Sequence, residues 1–147
     1  MNPRLPVVLL VEDDPGDVLM VTEALERSQR PPVLHVVGDG QEALDFLHRG
    51  GPDADRPDLI LLDLNMPRLD GREALAAIKG DERFRAIPVV VFTTSDAESD
   101  VLASYQRHAN AYVTKPMDLD ALEAVVDQIG HFYTGVSALL PPHQRNG

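Results

Sequence analysis

Five side chains that could together hold a metal ion and a phosphoryl group stand at the ends of short apolar segments of this sequence. Two acids follow the segment VVLLV, an aspartate follows LILL, a threonine follows VVVF and a lysine follows AYVT; these residues are Glu12, Asp13, Asp63, Thr93 and Lys115. If the four segments are parallel strands of one sheet, all five side chains meet at its carboxyl edge, where open α/β folds bind their ligands. Three carboxylates, a hydroxyl and an ammonium group in one crevice would suit a divalent cation and a phosphoryl group.

The three carboxylates are the basis of the metal prediction. Adjacent acids such as Glu12 and Asp13 usually form a solvated turn, so they indicate little by themselves. Asp63 changes the interpretation, because an aspartate that ends so apolar a strand would be at least half buried. Two like charges about 4 Å apart cost roughly 4 kcal/mol at an effective dielectric constant of about 20, so packing these carboxylates together requires a cation. Oxygen ligands favour Mg²⁺ or Mn²⁺, whereas the stretch DLNMPRLDG lacks the ligand spacing of a calcium-binding EF-hand loop.

Lys115 and Thr93 each have a structural interpretation beside the functional one. Lys115 is one of two lysines against eleven arginines, which suggests that a compact point charge is needed at the end of this strand. The alternative is an ordinary surface lysine at the edge of the sheet. Thr93 could be no more than a β-branched strand residue. Opposite the acids, its hydroxyl becomes a candidate donor to a phosphoryl oxygen.

Length, charge and composition exclude several classes of protein. A chain of 147 residues with 44% hydrophobic content suits one domain with one substantial core. The net charge of -11 disfavours nucleic-acid binding, which depends on lysine and arginine neutralising phosphates. With no cysteine, disulfides and thiolate metal sites are impossible. No apolar run approaches the roughly 20 residues of a membrane helix, and the amino terminus does not resemble a signal peptide; we therefore expect a cytoplasmic protein that binds no membrane.

Strand and helix patterns alternate along the chain and predict an α/β fold. VVLLV is short, apolar and β-branched, as expected of a strand buried on both faces. Asp14 followed by Pro15 indicates the start of a helix. The predicted elements are β1 (7–11), α1 (from 15), β2 (33–37), a helix α2 after 38–40, a loop over 50–57, β3 (58–63), α3 (71–79), β4 (88–93), α4 (96–108), β5 (110–114) and α5 (118 to about 132). Five strands alternating with five helices imply a parallel sheet with helices on both faces.

Four of these segments together resemble the receiver domain of two-component response regulators. The resemblance covers residues 5–130 and rests on LLVEDD at the end of β1, LLDLNMPRLDG after β3, VFTT at the end of β4 and AYVTKP at the end of β5. Each segment alone is a moderate signal, but four in this order and spacing are highly specific. The resemblance implies a flavodoxin-like, doubly wound sheet of five parallel strands in the order 2-1-3-4-5, with five helices.

The resemblance also implies a role for each residue of the predicted site. Asp63 would be the phosphoacceptor, attacking the phosphorus of a phosphohistidine on a sensor histidine kinase. Glu12, Asp13, Asp63 and the backbone carbonyl of Asn65 would hold Mg²⁺. Lys115 would form an ion pair with the transferred group.

A second group of residues would pass on and time the signal. By the resemblance, Thr93 bonds the new phosphoryl group and draws the β4–α4 loop inward, and Tyr112 turns between exposed and buried positions. This movement would alter the face formed by α4, β5 and α5. Asn65 and Thr94 would tune the rate at which the phosphate is lost to water. Glu12 stands where many receivers have aspartate, a substitution that the family accepts.

The C-terminal segment leads to a prediction about assembly. We expect a receiver domain over residues 1–131 and an extension over 132–147 that contains no separate output domain. The apolar end HFYTGVSALLPP leaves the helical periodicity of α5. It resembles the extension of stand-alone receivers that pair with phytochrome-type sensor kinases, which predicts a homodimer through the α4-β5-α5 face and this extension. The alternative is a tail that folds back over its own domain.

Several functions are compatible with these residues. The protein could be a terminal switch that signals through altered protein contacts and is not an enzyme, or a phosphorelay intermediate that passes its phosphate to a histidine phosphotransfer protein. It could also be an adaptor that uses the receiver fold without phosphorylation, although a pure adaptor has no need of clustered carboxylates. A nucleotide- or flavin-binding enzyme is disfavoured, because the turn Glu-Asp-Asp-Pro after β1 lacks the glycines of a phosphate-binding loop.

Overall fold

Five strands and five α-helices alternate along the chain. The computed structural model describes residues 4–28, 30–49 and 56–141. Its elements are β1 (Val7–Val11), α1 (Pro15–Glu26), β2 (Val33–Val37), α2 (Gly40–Arg49), β3 (Leu59–Leu62), α3 (Gly71–Gly80), β4 (Val89–Thr93), α4 (Glu98–Gln106), β5 (Ala111–Thr114), α5 (Leu119–His131) and a π-helical turn (Phe132–Val136). Most of the predicted loop 50–57 and the last six residues of the predicted extension, 142–147, lie outside the described residues.

The strands form one parallel sheet in the order β2-β1-β3-β4-β5. The predicted fold class and strand order are therefore confirmed. The three central strands β1, β3 and β4 are buried along their whole length, whereas the edge strands β2 and β5 are only partly buried. This burial explains why the central strands are continuous apolar runs rather than alternating ones.

Alternate residues of the central strands pack against helices on opposite faces of the sheet. On one face, Leu9 and Ile60 lie in a cluster with buried side chains of α2 and α3. On the other face, Val8 and Leu10 pack with side chains of α1 and α5, including Val126. Within the described ranges, no helix combines the length and the apolarity needed to cross a membrane.

Helix α4 is shorter than the sequence predicts. The prediction is 96–108, but the helix runs from Glu98 to Gln106. At its carboxyl end, His108 has a φ of 70°, a left-handed conformation that cannot continue a right-handed helix. At its amino end, Ser95 Oγ accepts a hydrogen bond from the Ala97 backbone N–H at 3.4 Å, a local turn that competes with the helix. The other predicted element ends lie within one residue of the observed ones.

The chain after α5 contains a turn that the sequence did not predict. α5 ends at His131, within one residue of its predicted end. The π-helical turn Phe132–Val136 follows, and Ser137 N–H donates to the Phe132 carbonyl at 2.6 Å. This wider turn needs no apolar repeat at the α-helical period, so the sequence pattern does not indicate it.

The described part of the tail then folds back over its own domain. Arg4 donates to the Leu140 carbonyl at 3.0 Å, and Arg56 donates to the Pro141 carbonyl. The Leu140 side chain packs against the core cluster on the α2–α3 face. These contacts agree with the alternative in which the tail covers its own domain.

Candidate functional site

The register of the sheet places two acids side by side at its carboxyl edge. Val11, the last residue of β1, pairs with Leu62, the last residue of β3. The residues that follow them are Glu12 and Asp63, and the Asp63 backbone N–H donates to the Val11 carbonyl at 3.1 Å. Both carboxylates therefore leave the sheet at the same level.

Three carboxylates converge at this edge. Oxygen atoms of Glu12, Asp13 and Asp63 lie within 4.8 Å of one another. Glu12 and Asp63 are buried, with 3% and 9% exposure, whereas Asp13 is exposed. Among the described residues, Glu12 Oε2 is buried without a hydrogen-bond partner. A hard divalent cation could bind this unpaired oxygen together with the two neighbouring carboxylates. The donor set therefore fits Mg²⁺ or Mn²⁺.

The protonation of Glu12 reflects the same crowding. Burial, together with the adjacent Asp63 carboxylate, raises the pKa of Glu12 to about 9. Burial disfavours the charged form of an acid, and a neighbouring carboxylate disfavours it further. A cation bound at this edge would offset both effects.

Lys115 supplies the positive charge that faces these acids. Its Nζ lies 2.5 Å from Glu12 Oε1, 2.8 Å from Asp17 Oδ2 and 3.7 Å from Asp63 Oδ2. The Lys115 side chain is only 8% exposed, and its Nζ lies 5.7 Å from the centre of the Phe92 ring. Although burial alone would lower it, the pKa of Lys115 is raised by the hydrogen bonds to Asp17 and Glu12. Lys115 therefore remains a cation at the edge of the site.

Asp17 is the functional residue that sequence reasoning missed. It lies in the first turn of α1, behind the N-cap Asp14, whose carboxylate accepts from the Gly16 backbone N–H at 3.4 Å. Acids are favoured in this turn by the helix dipole, so the residue type alone carries no signal. Its position shows only that the helix after β1 begins at the same edge of the sheet, which does not indicate the direction of the side chain.

Thr93 is the last residue of β4, at the carboxyl edge of the sheet where the acids lie, whereas Thr94 follows the strand. The Lys115 backbone N–H donates to the Thr93 carbonyl at 2.7 Å, which fixes the ends of β4 and β5 together. The Thr93 side chain is 0% exposed, and its Oγ1 has no hydrogen-bond partner among the described residues. Thr94 is exposed and lies just outside the strand.

Tyr112 is held inward by the β4–α4 loop. Its hydroxyl donates to the Ser95 carbonyl at 2.8 Å, and its ring packs partly buried against the α2–α3 core cluster. Burial raises the pKa of the Tyr112 hydroxyl. The Ser95 hydroxyl donates to Asp100 of α4 at 2.6 Å, and Asp100 also accepts from Arg72 of α3 at 3.0 Å. This chain of contacts links the predicted switch tyrosine to two helices.

Asn65 lies directly beside the proposed acceptor. Its backbone N–H donates to Asp63 Oδ1 at 3.4 Å, and its side chain is exposed. An open cleft of about 310 Å³ begins here, and its lining residues are Asp13, Leu64, Asn65, Met66, Pro67 and Asp70. The space beside Asp63 that Lys115 and Phe92 also line is only about 10 Å³, so the open cleft is the wider approach for a phosphodonor.

Comparison with known proteins places the whole site within one family. The family model described as "Response regulator receiver domain" matches residues 8–127. Response regulator Rcp1 of Synechocystis sp. is 46% identical over 129 residues, which are 86% of this chain and 88% of Rcp1. All residues of the predicted site fall within the matched range.

Solved structures of similar proteins have the same fold. The phosphorylated cyanobacterial phytochrome response regulator RcpA superposes with a TM-score of 0.88 at 43% identity, covering 92% of this chain and 99% of RcpA. The Mn²⁺-bound form of Rcp1 superposes with a TM-score of 0.87 at 44% identity, covering 92% of this chain and 99% of that one. One relative was thus solved in a phosphorylated state and another with a divalent cation.

Proposed function

Because the chain belongs to the response regulator receiver domain family, we propose that Asp63 accepts the phosphoryl group of a sensor histidine kinase. The chain is a receiver of the two-component class, and Mg²⁺ or Mn²⁺ is its cofactor. The observation that carries the assignment is the Asp63 carboxylate, buried beside two further acids and 3.7 Å from the Lys115 ammonium.

The phosphoryl transfer is a displacement at phosphorus. An Asp63 carboxylate oxygen attacks, the new O–P bond forms, and the P–N bond of the phosphohistidine breaks with its electron pair left on the imidazole nitrogen. Glu12, Asp13, Asp63 and the Asn65 carbonyl are the residues that would hold the divalent ion. When bound, the ion supplies positive charge to the oxygens of the transferred group.

Lys115 and Thr93 complete the pocket for the new phosphoryl group. The Lys115 ammonium can pair with a phosphoryl oxygen once the charge on Asp63 has become part of the acyl phosphate. The Thr93 hydroxyl has no hydrogen-bond partner within the described part of the chain and could donate to a second oxygen. Its movement would pull on the β4–α4 loop, which holds Tyr112 through Ser95. Asn65 lines the open cleft beside Asp63 and Thr94 directly follows Thr93; we assign to both an effect on the rate of water attack on the phosphate.

The signal would leave through protein contacts. We infer that the chain is a terminal switch and not an enzyme acting on other molecules, with autophosphorylation and autodephosphorylation as its only chemistry. We place the receiver domain at residues 1–131 and an extension at 132–147. The similarity to RcpA and Rcp1 supports a phytochrome-type kinase as the partner. The net charge of -11 argues against nucleic acid, and the composition fits a cytoplasmic protein that does not bind membranes.

A homodimer through the α4-β5-α5 face and the C-terminal extension is part of the same proposal. Exposed apolar side chains lie on or beside this face; they are Leu102, Tyr105, Met117, Leu119, Phe132 and Val136. Exposed apolar groups that lie together favour burial against a partner. Because the described tail also contacts its own domain, the helical face is the stronger part of the proposed interface.

The test is incubation of the protein with a small acyl phosphate donor, with and without Mg²⁺, followed by intact-mass spectrometry. The wild-type chain should gain the mass of one phosphoryl group in the presence of Mg²⁺. Asp63→Asn should gain none, and omission of Mg²⁺ should greatly reduce the gain. An unlabelled wild type, or equal labelling of Asp63→Asn, would support the adaptor function instead.

A further inference from the structure

One of the two carboxylates that are hydrogen-bonded to Lys115 does not belong to the predicted metal site. Two hydrogen bonds hold its Nζ, one to Glu12 Oε1 at 2.5 Å and one to Asp17 Oδ2 at 2.8 Å. Asp63 is farther away, at 3.7 Å. Among these three carboxylates, Glu12 and Asp63 belong to the metal-ligand group with Asp13, and Asp17 does not.

The acids of this edge form two overlapping groups that share one member. Glu12, Asp13 and Asp63 make one group, and Glu12, Asp14 and Asp17 make the other, each with ligand atoms within 4.8 Å of one another. The Lys115 ammonium lies between Glu12 and Asp17 and so already occupies the second group. Lys115 bonds Glu12 Oε1, whereas Glu12 Oε2 has no hydrogen-bond partner among the described residues and could serve a divalent ion together with Asp13 and Asp63.

We propose that Asp17 is a positioning residue that anchors the Lys115 ammonium beside the metal site, so that the ammonium bonds only one oxygen of Glu12 and does not compete with the divalent ion for Glu12 Oε2 and Asp63. The inference deepens the proposed function and rests on it. Without Asp17, the carboxylates left within 3.7 Å of Lys115 Nζ are Glu12 and Asp63, both of which are needed by the metal. A buried ammonium requires a counterion, so Lys115 would shift away from α1, toward Asp63 and the second oxygen of Glu12.

The local structure supports a specific role for Asp17. Its side chain is 23% exposed and Lys115 is 8% exposed, so the pair is shielded from water on the Lys115 side. Asp14, the other acid of this group, is exposed and serves as the N-cap of α1. Asp14→Asn is thus a matched control: it removes the same charge close by, keeps a capping side chain and leaves the Lys115 contact in place.

The test is a double-mutant cycle read by the Mg²⁺ dissociation constant from calorimetry. Asp17→Asn should weaken Mg²⁺ binding about tenfold when Lys115 is present, which is within the usual range for coupled charged neighbours. In a Lys115→Met background, Asp17→Asn should weaken it no more than Asp14→Asn does. Asp17→Glu, which keeps the charge, should restore most of the affinity.

Two results would overturn the role of Asp17. One is an equal effect of Asp17→Asn in both backgrounds, which would mean that Asp17 acts by its charge alone. The other is an effect in the wild-type background that is no larger than that of Asp14→Asn. A wild-type chain that binds no Mg²⁺ would overturn the proposed function as well, so the two failures are distinguishable.

The position of Lys115 can also be observed directly. The chain has only two lysines, Lys79 and Lys115, so selective ¹⁵N-lysine labelling gives two ammonium resonances. Lys79 is an internal reference, since its Nζ is bound at 2.8 Å to the Ile87 carbonyl at the far end of the sheet. Asp17→Asn should shift the Lys115 resonance and leave the Lys79 resonance unchanged. An unchanged Lys115 resonance would contradict the anchoring role.

Discussion

Thr93 carries a buried hydroxyl that has no hydrogen-bond partner among the described residues. A buried hydroxyl without a partner lowers the free energy of unfolding by about 1–3 kcal/mol. Because Thr93 destabilises the fold in this way, a functional role explains its hydroxyl better than a structural one. The sequence placed Thr93 at the end of an apolar strand but left open whether it was only a strand former. The unpaired hydroxyl favours the interpretation of Thr93 as a hydrogen-bond donor to a phosphoryl oxygen.

Thr93→Val should therefore separate stability from signalling. The change keeps the shape of the side chain and removes the orphaned group, so the free energy of unfolding should rise by about 1 kcal/mol. The same variant should lose the change at Tyr112 that follows phosphorylation. Urea denaturation and NMR of Tyr112 measure the two effects, with the exposed Thr94→Val as control. A clear loss of stability in Thr93→Val would show that the hydroxyl has a structural partner.

The residues that could be predicted from the sequence are those at strand ends. Glu12, Asp63 and Lys115 could be placed together because parallel strands deliver their last residues to one edge. Asp17 could not, because its direction depends on how α1 is rotated when it packs on the sheet. The rotation of a helix about its axis is set by which apolar face packs against the sheet. Because α1 has apolar residues on several sides, its sequence does not indicate which face that is.

Among the secondary-structure elements, the turn from β3 into α3 passes so close to Asp63 that Gly71 has no room for a side chain. A Cβ at Gly71 would lie 2.0 Å from the Asp63 carbonyl oxygen and 2.7 Å from Leu64 Cα. Both are backbone atoms that cannot rotate away. The sequence indicated a turn and helix entry at Gly71, but not that its backbone contacts the acceptor residue itself.

Gly71→Ala should accordingly damage both stability and the site. We expect the free energy of unfolding to fall by about 1–3 kcal/mol and Mg²⁺ affinity to fall with it, because the Asp63 backbone must shift. Gly80→Ala at the other end of α3 is the control, since a Cβ there meets nothing within 4 Å. It should stabilise the helix by about 0.5–1 kcal/mol. Equal effects of the two substitutions on denaturation would contradict the steric argument.

Helices α3 and α4 are tied by an ionised contact that depends on pH. Hydrogen bonds from Ser95 and Arg72 lower the pKa of Asp100 from its ordinary value of 3.8. The folded state therefore favours the carboxylate, and this stabilisation is present in full above a pH of about 4 and is lost as pH falls through the lowered pKa.

Asp100→Asn should remove this pH dependence. The difference in unfolding free energy between wild type and Asp100→Asn should be largest at neutral pH and shrink as the pH falls below about 4. Chemical denaturation across that range measures it, with the exposed Asp96→Asn as a control for the loss of one charge. If the difference in unfolding free energy stays constant with pH, the ionised Asp100 carboxylate does not stabilise the contact between α3 and α4.

The element boundaries show which part of the architecture the sequence could not predict. The central strands were predictable because their burial demands apolar runs. The end of α4 was not, because it depends on a left-handed conformation at His108, a residue type that gives no such signal. The π-helical turn after α5 likewise leaves no mark at the α-helical period.

For the molecule as a whole, two features affect the proposed dimer: an exposed apolar surface and a tail that folds back over its own domain. Leu102 of α4 is 60% exposed on the proposed interface. The tail contacts Arg4 and packs Leu140 on its own core. The alternation of elements predicted the order of the sheet, but an irregular tail has no periodicity from which its path could be predicted.

Sedimentation velocity over a range of concentrations should show self-association of the full-length chain. Leu102→Glu should abolish it, because a charge would have to be buried in the interface, and a chain ending at Gly130 should weaken it. Leu19→Glu is the matched control, since Leu19 is 59% exposed and belongs to α1, a helix that is not part of the proposed interface. A full-length chain that is monomeric at every concentration would remove the dimer.

The most direct measurement is to locate the phosphoryl group after reaction with an acyl phosphate donor and Mg²⁺. Borohydride reduction converts an aspartyl phosphate to homoserine, and peptide mass spectrometry then finds the modified position. We expect homoserine at Asp63 alone, and none when Mg²⁺ is omitted. Homoserine at Asp13 or Asp14, or its absence from a wild-type chain that binds Mg²⁺, would contradict the assignment of Asp63 as the phosphoacceptor.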